Sequence, residues 1–340
     1  MEDREGPLEG VARMKNSFWK DRRVFVTGAT GMLGSWLVKD LLKLKAYIVV
    51  LIQDSNPQSE LYRSRDIDNV TVVNGALEDF ATLERAINQY DIETVFHLGA
   101  QTIVGTAERF PLSTFEANIR GTYNLLEACR LHKNLVKGIV VASSDKAYGE
   151  HAKLPYREDA PLQGRHPYEI SKTCADLIAQ SYFYSYQMPV AVIRCGNIYG
   201  GGDLNWSRIV PGTIRSFLAN ESPVIRSDGT FVRDYVYVKD VARTYLDVAE
   251  RLDEKKFWGE AFNCSNESPV AVLEIVKIIQ DLMTCGHLKP KILNSARGEI
   301  FSQYLSSRKL RRMLKWKPRF DLKRGLSETI EWYHEFLGPK

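Results

Sequence analysis

Tyr168 and Lys172 stand four residues apart, a spacing that sets both side chains on one face of a helix. A lysine ammonium there favours the phenolate, which makes tyrosine usable as a base near neutral pH. Upstream, Ser143-Ser144-Asp145-Lys146-Ala147-Tyr148-Gly149 places a hydroxyl, a carboxyl and an amine in a row. Ser144 is suited to orient the phenol and a substrate alcohol. On its own, Tyr-x-x-x-Lys usually marks an ordinary amphipathic helix, and an adjacent Asp and Lys often form a loop ion pair. Chemistry requires elements that bring these residues together.

A nucleotide-binding turn precedes them. Val24-Phe25-Val26 is a short apolar run, followed by Thr27-Gly28-Ala29-Thr30-Gly31-Met32-Leu33-Gly34 and then by the helical pattern of residues 35–42. Glycines let the backbone approach a pyrophosphate, and the exposed amides at the helix start attract its charge. A glycine triplet alone is weak; between a strand and a helix it becomes a dinucleotide motif. Asp54 lies 20 residues after Gly34. A carboxylate there accepts ribose hydroxyls and repels a 2′-phosphate, so the sequence favours NAD over NADP. The alternative is a surface aspartate, with Arg63 or Arg65 meeting a phosphate.

Strands are expected at 47–52, 70–74, 94–98, 137–142 and 189–194, with helices at 81–89, 115–132 and through Tyr168. This alternation predicts an α/β fold, a doubly wound parallel sheet of Rossmann type with helices on both faces. Ligands of such sheets bind beyond the carboxyl ends of the strands. The glycine turn, Leu98-Gly99-Ala100-Gln101 and Ser143–Lys146 all follow such ends, so the candidate residues converge. After Arg194 the rhythm changes. Residues 196–202 read as a flexible loop, 209–220 and 270–283 as helices, 232–238 and 260–264 as strands, and 306–336 as helix broken at Lys317-Pro318. The expected organisation is a tail at 1–17, a dinucleotide-binding domain at 18–195 with segments near 232–264 returning to it, and a smaller discontinuous substrate lobe over 196–340.

The 340 residues suffice for a large core, and the net charge of +4 is mild and scattered. Arg308-Lys309 and Arg311-Arg312 read as a solvated helix face, which argues against nucleic-acid binding. No apolar run approaches the roughly 20 residues needed to span a bilayer. The polar first 17 residues lack a hydrophobic signal region. Five widely spaced cysteines, at 129, 174, 195, 264 and 285, show no metal-ligand pattern and read as reduced thiols of a cytoplasmic protein. His97, ending a buried strand, and His166, before Pro167, read as packing or hydrogen-bonding residues.

The glycine turn, His97-Leu98-Gly99-Ala100, Asn118-Ile119-Arg120-Gly121-Thr122, the Ser144/Tyr168/Lys172 set and Arg233-Asp234-Tyr235 resemble the extended short-chain dehydrogenase/reductases. Within them the chain is similar to the NAD-dependent nucleotide-sugar epimerases and dehydratases, over residues 18–338. Ser144-Asp145-Lys146 before Tyr148-Gly149, and Phe18-Trp19-Lys20 before the first strand, resemble the CDP-glucose 4,6-dehydratase branch; the related dTDP-glucose enzymes carry Thr-Asp-Glu at the first of these places.

The resemblance implies a redox-neutral elimination. Tyr168 removes the C4 hydroxyl proton as hydride passes to NAD⁺, the new ketone acidifies C5–H, water leaves from C5 and C6, and hydride returns to C6. By position, Asp145 is the acid at C6 and Lys146 occupies the place of the C5 base. A free lysine titrates near 10.4 and is a poor base at pH 7; either Asp145 and Lys146 share a proton, or Lys146 stabilises the enolate electrostatically. The resemblance also assigns cofactor contacts to Leu77, where Gly75-Ala76-Leu77 departs from the family's usual Gly-Asp, and places Gln101 and Thr102 near the nicotinamide end. Asn197, Arg233 and Arg297 match diphosphate-binding positions, and Asn205, Trp206 and Arg208 lie in the loop expected to border sugar and base. Relatives commonly pair through the helices around 115–132 and 168–186, which implies a homodimer. An epimerase or decarboxylase on the same scaffold, and a non-catalytic nucleotide sensor, are the alternatives.

Overall fold

A computed structural model describes residues 17–295 and 300–338. The tail expected at 1–17 therefore lies almost wholly outside the described residues, and residue 17 already begins a helical turn. Seven parallel strands form the main sheet: β1 (Arg23–Thr27), β2 (Tyr47–Ile52), β3 (Thr71–Asn74), β4 (Thr94–His97), β5 (Gly138–Ser144), β6 (Val190–Cys195) and β10 (Ala261–Cys264). They lie in the order β3-β2-β1-β4-β5-β6-β10. Their side chains divide with a period of two. Val24, Val26, Val50, Phe96, Val140 and Ile193 face one buried cluster, and Phe25, Val49, Val95, Ile139, Val141 and Val192 the other. Both faces are dry, which is why the strands read as continuous apolar runs.

Helices α1 (Met32–Lys43) and α6 (Val238–Arg251) cover the first face; α2 (Phe80–Gln89), α3 (Gly121–Leu131) and α4 (Pro167–Tyr186) cover the second. Because β1 pairs with both β2 and β4, strand order reverses there and opens a crevice at the carboxyl ends. The helix expected over 115–132 is not regular. Pro111–Phe115 is α-helical and Glu116–Arg120 is a π-turn leading into α3. The wider turn presents Asn118 to the loop after β4: its Oδ1 accepts from Gln101 N at 2.7 Å and its Nδ2 donates to Gln101 O at 2.9 Å.

Beyond β6 the segment expected to be a flexible loop contains a strand. β7 (Asn197–Tyr199) pairs in parallel with β9 (Val232–Tyr237), because Tyr199 buries its ring in the third cluster. β9 also pairs with β11 (Pro269–Ala271) and β13 (Ser302–Gln303), so the helix expected from 270 starts at 272. A small ribbon joins β8 (Val224–Ile225) to β12 (Lys291–Ile292). Helices α5 (Ile209–Leu218), α7 (Val272–Leu282) and α9 (Leu322–Leu337) pack about Ile214, Phe217, Ile275, Ile279, Leu326 and Tyr333. α8 (Arg308–Leu314) ends at Lys315 in a left-handed conformation, and Asp321 caps α9, so the break near Lys317-Pro318 spans residues 315–321. Among the described residues, no helix is long and apolar enough to cross a membrane.

Candidate active site

The glycine turn joins β1 to α1 with no room for side chains. Gly28 has φ +73°, and a Cβ on it would lie 2.7 Å from Gly99 N and from Leu98 C. A Cβ on Gly34 would lie 2.1 Å from Gly28 O. Gly31 caps α1 without a side-chain bond, and no acidic residue occupies the first turn. Amides of residues 32–34 at an uncapped helix start suit a diphosphate. Thr30, Met32 and Leu33 are partly exposed around the same turn. These features fit the dinucleotide that the motif implies.

Across the crevice, Gly99 N donates to Thr27 Oγ1 at 3.0 Å, and the same hydroxyl meets His97 Nδ1 at 2.9 Å. His97 Nε2 reaches Thr122 Oγ1 at 3.0 Å. Burial and the charge of Lys172 push the His97 imidazole down to about 3, so it is a neutral structural link at pH 7. Leu77 is wedged under Gly99 and Gly121, and its carbonyl accepts from Asn124 Nδ2 at 3.3 Å. Gln101 is tied into its own loop: Nε2 donates to Ile103 O and Oε1 accepts from Ile103 N. Ala100 follows Gly99 in this loop and Thr102 is exposed on it. Asp54 is exposed two residues beyond β2. Arg63 lies over the Trp332 and Phe336 rings and Arg65 pairs with Asp68, so both arginines considered for a 2′-phosphate are engaged elsewhere.

Ser144 ends β5, and Asp145–Tyr148 form a 3₁₀ turn directly after it. The Tyr148 hydroxyl fixes this turn, accepting from Arg194 Nη1 at 2.8 Å and donating to Asn263 Oδ1 at 2.7 Å. Arg194 in turn grips Asp176 of α4 at 2.8 and 2.9 Å, both side chains buried. Strand β5, helix α4 and the turn are thus held in one geometry. The Ser144 hydroxyl is near enough to the Tyr168 phenol to favour its phenolate. Lys172 Nζ donates to Ala142 O at 3.0 Å, and burial pushes its ammonium down to about 8.

One expectation is corrected. Lysine was expected to lower the phenol, yet burial, reinforced by Asp145, pushes Tyr168 up to about 12 against the opposing pull of Ser144 and Arg208. Removal of water penalises the phenolate more than the nearby cations favour it. Burial likewise raises Asp145 above the usual carboxylate range, and the attraction of Lys146, Ser144 and Arg233 does not offset it. Its Oδ1 accepts from Ser144 Oγ at 3.1 Å, and its Oδ2 is buried with no partner among the described residues. Lys146 Nζ donates to Gln303 Oε1, and Gln303 Nε2 donates to Asp145 O at 3.0 Å.

A family model for the NAD dependent epimerase/dehydratase family matches residues 24–265. The chain belongs to this family. A CDP-glucose 4,6-dehydratase of Salmonella typhimurium is 31% identical, over 94% of this chain and 93% of the relative. A putative UDP-glucose 4-epimerase of Methanocaldococcus jannaschii is 30% identical, over 91% and 97%. The dTDP-glucose 4,6-dehydratase of Bacillus anthracis, solved with NAD, superposes with a TM-score of 0.82 at 25% identity, covering 92% of this chain and 97% of that one.

Set in the epimerase/dehydratase family, the remaining expected residues divide. Asn197 lies on β7 rather than in a loop, and its Nδ2 is buried with no partner among the described residues, a donor suited to a ligand. Arg233 is buried on β9, its Nη1 donating to Val232 O and Phe301 O. Arg208 pairs with Asp203 and donates to Ile198 O, while its charge reaches Tyr168. Asn205 accepts from Ser207 within its own turn, and Trp206 packs against Tyr333, Phe336 and Arg215. Arg297 lies outside the described residues. His166 opens α4, its amide held by Glu169.

Two groups at the site had no assigned role in the sequence. Asp234 is buried, accepts from Ser265 Oγ, and is pushed up to about 6 by burial and Asp145. It was legible only as part of Arg233-Asp234-Tyr235. Gln303 belongs to no motif and reaches the catalytic turn from more than 150 residues away; nothing local in the sequence signals it.

Proposed function

We propose that the chain is an NAD-dependent nucleotide-sugar 4,6-dehydratase, with CDP-glucose the favoured substrate. The observation that carries this reading is the turn after β5: Asp145, a buried carboxyl raised by burial whose Oδ2 has no partner among the described residues, stands between Ser144 and Lys146. An epimerase acting only at C4 has no use for a second proton donor. The M. jannaschii relative favours that second reading, and the product separates the two.

When bound, NAD would supply the acceptor and donor for a hydride. Residues 28–34, Leu98, Gly99 and Ala100 would hold it, and Asp54 would meet its ribose hydroxyls. Tyr168 takes the C4 hydroxyl proton through the geometry that Ser144 sets. Lys172, already short of solvation, holds its charge beside the crevice and favours the phenolate once a substrate alcohol is in place. The C4 ketone makes C5–H acidic. Lys146, or another base whose enolate product Lys146 stabilises, takes that proton, Asp145 gives its proton to the C6 hydroxyl so that water departs, and a proton returns to C5 as hydride adds at C6. Asn197, Arg233 and Arg208 supply donors and positive charge for the diphosphate.

Incubation of the purified protein with CDP-glucose, followed by mass spectrometry of the sugar nucleotide, tests the reading. A product lighter by one water supports dehydration. An isomer of unchanged mass overturns it in favour of epimerisation.

A further inference from the structure

Gln303 is fully buried and stands on β13 in register with Arg233 of β9. Its amide orientation is fixed by bonding logic. The Asp145 carbonyl can only accept, so Nε2 faces it, 3.0 Å away. The opposite end is therefore an oxygen, and Lys146 Nζ must donate to it. One side chain thus ties the main chain of the residue assigned as acid to the head of the residue assigned to C5.

The strand that carries Gln303 is itself anchored on two sides. Val232 N donates to Phe301 O at 3.0 Å, and the Arg233 guanidinium donates to the same oxygen at 3.0 Å. Tyr156 N donates to Tyr304 O at 2.9 Å, and Ser306 N donates to Tyr156 O at 2.8 Å. The strand is bound both to β9, which bears Arg233, and to the loop that follows the catalytic turn. A side chain fixed at both ends in this way has little freedom to move.

We infer that Gln303 is the positioning residue for the elimination half of the reaction, aligning Lys146 and Asp145 with C5 and C6 while leaving C4 oxidation to Ser144, Tyr168 and Lys172. This rests on the dehydratase reading. A neutral amide suits this role because it orients the lysine head without cancelling its charge, whereas a carboxylate there holds the ammonium and raises its pKa.

The test uses the NAD-loaded enzyme with CDP-glucose, following reduced cofactor by absorbance and product by mass. In Gln303→Leu, cofactor reduction proceeds at the wild-type rate while water loss slows about 10²-fold, the scale of a misplaced catalytic group, so reduced cofactor accumulates. Gln303→Glu keeps the shape and the acceptor for Lys146; the pH profile of its elimination step moves to higher pH while that of cofactor reduction does not. Water loss at the wild-type rate in the leucine variant, equal slowing of both halves, or an unmoved profile in the glutamate variant overturns the inference. A wild-type enzyme that yields an isomer overturns the dehydratase reading and this inference with it; failure of the variants beside a dehydrating wild type overturns this inference alone.

Discussion

Burial raises the Asp145 carboxyl above the usual carboxylate range and outweighs the pull of Lys146, Ser144 and Arg233. A group whose folded pKa is raised contributes stability fully at low pH and loses it as pH rises from the ordinary carboxylate value, near 4, through its raised value. Asp145→Asn removes that loss while keeping the volume. The melting temperature of the variant relative to wild type therefore rises with pH across that window; a pH-independent difference would count against a raised carboxyl. The same variant has no proton to give and loses water about 10²–10⁴-fold more slowly than wild type, measured by product mass over time. Tyr168→Phe removes the base, abolishing turnover of CDP-glucose while leaving NAD bound, as read by cofactor co-purification; undiminished turnover would rule out the phenol. The triad of Ser144, Tyr168 and Lys172 was legible because its spacing is local to one strand end and one helix. The high pKa of Tyr168 was not, because desolvation depends on residues packed from elsewhere.

At the scale of elements, the main-sheet strands were legible to within a residue or two. Most are apolar runs such as Val24–Val26 or Ile139–Val141, buried on both faces; the edge strand β3 is buried only at Val73. Several short elements escaped, β7 and the π-turn among them. β7 is three residues long and exists through its pairing with β9, and the π-turn at Glu116–Arg120 is set by the bonds of Asn118 across to Gln101 and Ser171. Short elements like these follow from tertiary partners, not from local preference. Helices α3 and α4 also expose Tyr123, Leu131, Leu177, Tyr184 and Tyr186. We infer that this face pairs with a second copy, in line with the homodimer expected from the resemblance. Leu177→Arg, placing a charge in that face, yields a monomer by light scattering where wild type is a dimer; a monomeric wild type would contradict the pairing.

Across the whole molecule, the glycine turn, the β4 loop and the β5 turn meet at the carboxyl edge of one sheet, and residues from beyond 196 close over it. Asn197, Arg233 and Gln303 come from β7, β9 and β13, which pair with one another outside the main sheet. That assembly was not legible, since its pairings join segments as far apart as 197, 235 and 302. It sets the buried carboxyl of Asp145, raised by burial, and the head of Lys146 beside Tyr168. In the proposed reaction, one sugar molecule lends a hydride from C4 and receives it back at C6. CDP-glucose deuterated at C4 tests this most directly, with the product read by NMR. Deuterium at C6 of a 4-keto-6-deoxy sugar is the predicted result; deuterium retained at C4, or lost to solvent, would contradict it.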